Sequence, residues 1–127
     1  MLFRSKAKML EFMVSADAGL VTYENISLNN YLCAPTKMYE LLHAGTPIIG
    51  CDLPQIASLL QEHKVGMLFS WDAPGSLAST VNTLLADLAL CAPMSTTAKE
   101  ISHNYCWEVE GQKLTAIYRE LAPRQAV

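Results

Sequence analysis

Apolar residues along the chain alternate between two spacings, and each change of spacing marks a new element. Near the N-terminus, Leu2, Met9, Leu10 and Met13 recur at helical intervals, which predicts an amphipathic helix whose apolar side faces a core. The run AGLVTYE, from Ala18 to Glu24, is short and apolar enough to predict a buried strand. After a polar stretch, Thr36 stands as a predicted N-cap for a helix through KMYELLHA, with Gly45 and Pro47 as stop signals. PIIGCD predicts a second strand, with Pro47 at its first residue, where a missing N–H does least harm. LPQIASLLQEHKVG predicts a helix with Pro54 near its start, Ile56, Leu59, Leu60 and Val65 on one side, and Gly66 at its end.

MLFSW predicts a third strand. PGSLASTVNTLLADLALCAP predicts a helix with a stripe through Leu77, Val81, Leu84, Leu85 and Leu88, ending before Pro93. The tail TTAKEISHNYCWEVEGQKLTAIYREL predicts helix in two pieces, broken near Asn104 or Gly111. Strands alternating with helices of this length require parallel pairing through crossovers, so the expected class is α/β with helices on both faces of a short parallel sheet.

Composition narrows the function classes. The 127 residues fit one domain, 51% hydrophobic and 17% charged, with no Gly/Ser-rich or Pro-rich linker to divide it. A net charge of −3 from scattered residues makes no field for nucleic acid. Cys33, Cys51, Cys91 and Cys106 form no CxxC pair, and His43, His63 and His103 form no metal-ligand pattern, so reduced thiols and no metal site are expected. Arg4, Lys6, Lys8 and Glu11 interrupt any signal-peptide core. No apolar stretch has the length of a membrane span, so a cytoplasmic chain is expected, with any membrane contact peripheral through the first helix.

The stretch SLNNYLCAPTKMYELL, residues 27–42, carries the candidate chemistry. With Thr36 as cap, Lys37 is the first helical residue, and Glu40 lies beyond the place from which a glutamate closes a capping box. The two stand three apart and project to one side. A cation in the first turn opposes the helix dipole by roughly 0.3–1 kcal/mol, a penalty that becomes an attraction if an anionic diphosphate sits at that end. Ser27, Asn29 and Asn30 are further donors, and an ionised Glu40 suits a pair of ribose hydroxyls. The plainer reading is an exposed Lys37–Glu40 pair worth about 0.2–0.5 kcal/mol, beside loop side chains that bond their own backbone.

The succession ADAGLVTYE, SLNNYLCAPTKMYELLHAGTPIIGCDLP, VGMLF and SLASTVNTLL, followed by CWEVEGQKLTAIY, resembles the C-terminal nucleotide-sugar-binding half of GT-B glycosyltransferases, most like the retaining group-1 (family 4) class. The resemblance runs from about Ala16 to Leu121. It implies a partial Rossmann-like fold and a nucleoside diphosphate sugar as donor substrate, with no further cofactor and no metal. Glu40 would hold the ribose, Lys37 a phosphate, and the loop Ser27, Leu28, Asn29, Asn30 the diphosphate. Leu32 occupies the place of a second glutamate in the family signature, and no catalytic residue is assigned. The acceptor domain and the early donor-domain strands have no counterpart here. In the strand order 3-2-1-4-5-6, the run Ala18 to Tyr23 would be the fourth strand, open on one side. The expected function is therefore donor binding by a transferase fragment, completed by a complementary glycosyltransferase half. The alternative is an inactive interaction module that forms a homodimer or docks through its open sheet edge. A GT-B-like epimerase would share the donor site but needs both domains.

Overall fold

The computed structural model describes residues 6–121, and its centre is β2 (Ile48–Cys51), every residue of which is buried. It lies between β1 (Gly19–Val21) and β3 (Gly66–Phe69) in one parallel sheet of order β1-β2-β3. The register sets Ile48 opposite both Gly19 and Gly66. Pro47 adds to the ladder from outside the strand, its carbonyl accepting from Gly19 N at 2.8 Å. The chain is a mixed α/β fold with an open sheet, and β1 forms one edge of it.

Glycines reveal how the layers meet. A Cβ at Gly19 would strike the side chain of Leu41, and one at Gly50 would strike Ile56 and Leu60. The helices carrying those leucines and Ile56, α3 (Thr36–Ala44) and α4 (Pro54–His63), therefore cover the same face. Two right-handed crossovers advancing in one direction produce that arrangement. The other face receives α5 (Ser76–Ala86), whose Leu84 is buried and whose Thr80 hydroxyl donates to Leu68 O. α6 (Cys91–Ser102) packs on the outer side of α3 with Ala98 buried. Met38, Leu42, Ile48, Ile56, Leu60 and Phe69 are among the largest fully buried side chains, each worth about 1.5–3 kcal/mol of transfer free energy.

Several boundaries differ from the sequence expectations, each for a physical reason. β1 pairs over three residues only, and beyond it Tyr23 N donates to Cys51 Sγ instead of joining the ladder. Gly66 does not end α4: Lys64, left-handed at φ 54°, does so, and Gly66 opens β3. A Cβ at Gly66 would fall inside the Ile48 carbonyl, so this position admits glycine for its close approach. Pro93 does not stop the preceding helix. α5 closes at Ala86, a 3-10 turn spans Leu88–Leu90, and Pro93 sits in the first turn of α6, where its absent N–H has no partner to lose. The tail breaks at the 3-10 turn His103–Tyr105, near Asn104, while Gly111 lies inside α7 (Trp107–Leu121). α1 (Lys6–Val14) meets the core mainly through Met13, whose carbonyl accepts from the buried Thr46 hydroxyl. Leu10 is exposed, and Leu2 lies outside the described residues.

The tail is fastened to the body by an aromatic cluster. His63 Nε2 lies 2.9 Å from Tyr105 Oη, and the Tyr39 and Tyr105 rings lie 5.6 Å apart. All four cysteines are free thiols. Among the described residues no group of His, Cys, Asp and Glu is placed to hold a metal ion, and no single helix is long and apolar enough to cross a membrane.

Two outcomes test this packing. Gly66→Ala forces a methyl group into the β2 backbone, and a loss of more than about 3 kcal/mol is expected in a denaturant titration; a cost below 1 kcal/mol would contradict the register. Burial is the leading cause that raises Tyr39 and Tyr105 above the ordinary phenol value of 10.0. The neutral phenols are thus favoured in the fold, so their stabilisation is complete below pH 10 and fades as pH rises through the higher folded values. Thermal melts from pH 8 upward should show this fall, and Tyr105→Phe should make it shallower while removing a hydrogen bond worth about 0.5–1.5 kcal/mol. An alkaline decline that Tyr105→Phe leaves unchanged would contradict the cluster.

Candidate functional site

The residues singled out in the sequence gather where β1 hands over to α3. Pro35, not Thr36, caps α3: its ring is buried, its φ of −67° and ψ of 133° give the extended geometry of an N-cap, and its carbonyl accepts from Met38 N at 2.9 Å. Thr36 thus becomes the first helical residue and Lys37 the second. No side chain caps this end, so the Thr36 and Lys37 amides have no side-chain capping oxygen. The opposite end is closed by Gly45 at φ 69°, where the amides of Gly45 and Thr46 donate to Leu42 and Leu41 carbonyls.

Lys37 is exposed, and its Nζ donates to Leu20 O at 3.2 Å. Gly19 N bonds toward β2, and peptide groups alternate along a strand, so the Leu20 carbonyl belongs to the unpaired side of β1. The ammonium therefore caps one acceptor on the open edge of the sheet, a common way of blunting an edge strand. Glu40 is half-buried and has neither a hydrogen bond nor an ion pair. Glu110 pairs with Lys113 at 2.6 Å and Glu62 lies 3.9 Å from His63, while Lys37 and Glu40 are not paired with each other.

The loop is more ordered than its polar composition suggests. Leu28–Tyr31 form a one-turn helix, α2, capped by Ser27, whose Oγ accepts from Asn30 N at 3.2 Å. Asn30 Nδ2 donates to Glu24 O at 3.1 Å. Ser27 and Asn30 thus hold the turn itself, as the plainer reading of loop side chains expected. Asn29 and Leu28 are exposed, and the Asn29 amide makes no hydrogen bond.

Several hollows open on the surface of the described residues. One of about 510 Å³ lies between the β3–α5 loop and α5, lined by Phe69, Ser70, Trp71, Pro74 and Ser76 among others. One of about 350 Å³ is bounded by Leu20, Ile49, Val81 and Leu84 on the α5 face. A third, about 330 Å³, is lined by Tyr39, Tyr105 and Glu110, and a fourth, about 500 Å³, runs along α7. Lys37 and Glu40 line none of these.

Trp71 is the residue that sequence reasoning missed. Placed at the end of a predicted strand, it lies instead beyond β3, with Nε1 donating to Tyr23 O at 2.9 Å and its ring edge-on to Phe69 at 5.1 Å. It ties the continuation of β1 to the end of β3 across the carboxyl end of the sheet. The signal available was a large aromatic directly ahead of the turn residues Asp72, Pro74 and Gly75. No family model matches this chain, and no curated protein matches it either.

Proposed function

We propose that the chain is the later part of a GT-B type nucleotide-sugar-binding domain, and that it holds a nucleoside diphosphate sugar beside the open edge of β1. The observation that carries this reading is the placement of Lys37: its ammonium rests on a strand-edge carbonyl, with the unpaired, half-buried Glu40 one turn further along α3. A neutral carbonyl is a weaker partner for an ammonium than a diphosphate, so ligand binding can draw Lys37 from Leu20 without breaking an ion pair. Topology supports the same place. A parallel sheet running steadily outward from β1 to β3 fits the 4-5-6 half of the 3-2-1-4-5-6 order, and in such sheets ligands bind outside the carboxyl ends at the point where the order reverses. That point is the open side of β1.

In this site Lys37 and the first-turn amides of α3 meet the phosphates, and Glu40 accepts from the ribose hydroxyls. Asn29 is the loop side chain free to join them. During transfer these donors would stabilise the charge that develops on the departing nucleoside diphosphate. Turnover also requires a second wall that positions the acceptor and excludes water, which a complementary half would supply. A second reading, an interaction module without turnover, is favoured by the uncovered surface of α7.

Calorimetric titration of the chain with UDP, GDP and ADP tests the donor site. Saturable binding to at least one is expected, weakened about tenfold or more by Lys37→Ala and by Glu40→Ala, because hydrogen bonds to charged groups contribute about 1.5–3 kcal/mol. Binding to none of the three, or binding indifferent to both substitutions, would reject the assignment.

A further inference from the structure

A concave site forms where three segments far apart in sequence meet. Tyr39 of α3, Tyr105 of the 3-10 turn ahead of α7, and Glu110 of α7 line a hollow of about 330 Å³, near the low end of the range of about 300–1,000 Å³ for small-ligand pockets. The two phenol rings are half-buried, 5.6 Å apart and 34° from parallel, and His63 fixes Tyr105 through its hydroxyl. Burial comes first among the causes that raise both phenols above 10.0, and the Glu110 carboxylate pushes each the same way; for Tyr105, Glu62 does so more strongly. The hollow therefore sets negative potential over aromatic walls. Lys37, two residues from Tyr39 and turned to Leu20, points to nearly the opposite side of α3, so this hollow is separate from the donor site.

We propose that this hollow binds the head group of an alkylated ammonium ligand, the cation resting against the Tyr39 and Tyr105 rings with Glu110 as its counter-ion. The chain itself shows that an ammonium fits beside these groups: Lys113 Nζ donates to Glu110 Oε1 at 2.6 Å, and its charge acts on Tyr105 against the carboxylates. Both side chains of that pair are more than half exposed, Lys113 at 62% and Glu110 at 51%, and exposed pairs are weak. An arriving cation has little to displace. Chemistry then selects among occupants. An anion would meet Glu110 and Glu62, and a metal ion would find no ligand set, since among the described residues no group of His, Cys, Asp and Glu is placed to hold one. A bare ammonium is strongly hydrated. Methyl groups lower that hydration and spread the charge over a surface that ring faces attract, as in the recognition of quaternary ammonium ligands.

Tetramethylammonium chloride titrated into the full chain at constant ionic strength against sodium chloride, and followed by its methyl proton signal, tests the site. A saturable upfield shift is expected, because nuclei above a ring face are shielded. Lys113→Met should strengthen binding about two- to fivefold by removing the internal competitor, and Glu110→Gln should weaken it by a similar factor, as suits exposed ion pairs. Both positions are exposed, so the thermal melt should be retained in each. Tyr39→Phe keeps the ring and should bind, whereas Tyr39→Leu should lose most of the shift. No saturable shift beyond the sodium control, Lys113→Met no tighter than the unsubstituted chain, Glu110→Gln no weaker, or a shift that survives Tyr39→Leu would each overturn the proposal.

Discussion

An edge strand must do something with the peptide groups that no neighbour takes, and β1 sets that problem for the whole molecule. The strand is held on one side by β2, through Gly19 N to the Pro47 carbonyl, and is unpaired on the other. Lys37 reaches back from α3 to occupy the Leu20 carbonyl. That contact sets a positive charge beside the open edge of β1. Glu40 follows on the same helix, and its half-buried carboxylate has no partner to neutralise it. The candidate site is a consequence of how the fold treats its open edge.

The two faces of the sheet differ in the same sense. α3 and α4 close one face completely enough that glycine is required where they approach β1 and β2. α5 closes the other face over the buried Leu84, but Leu20 remains 46% exposed beside the hollow it shares with Ile49 and Val81. β1 and β3 are both edge strands of the three-stranded sheet, and Trp71 tethers Tyr23 across the carboxyl end between them.

Much of this was legible from residue spacing, and what was not depended on contacts distant in sequence. β2 and α4 were readable because an apolar run and a periodic stripe were bracketed by Pro47, Cys51 and Pro54. That Lys37 and Glu40 share one side of a helix followed from their separation of three. The acceptor for Lys37 could not be read, because Leu20 lies 17 residues earlier and is an acceptor only through strand alternation. Thr36 looked like a cap because its hydroxyl suits the role. Burial of the Pro35 ring decided otherwise, since proline already carries the required backbone angles. Gly66 looked like a helix stop until the Ile48 carbonyl beside it gave the glycine a different purpose. The hydrogen bonds that Ser27 and Asn30 make within their own turn reduce the set of free donors to fewer than the sequence offered.

The central claim is that a diphosphate takes the place of the Leu20 carbonyl as the partner of Lys37. Amide chemical shifts of the labelled chain, followed during addition of UDP, GDP and ADP, test it most directly. The largest changes are expected at Val21, whose amide shares a peptide group with the Leu20 carbonyl, and at Thr36 and Lys37, with smaller ones at Asn29 and none along α7. Changes confined to the loop around Trp71, or an unperturbed Val21 at saturation, would contradict it.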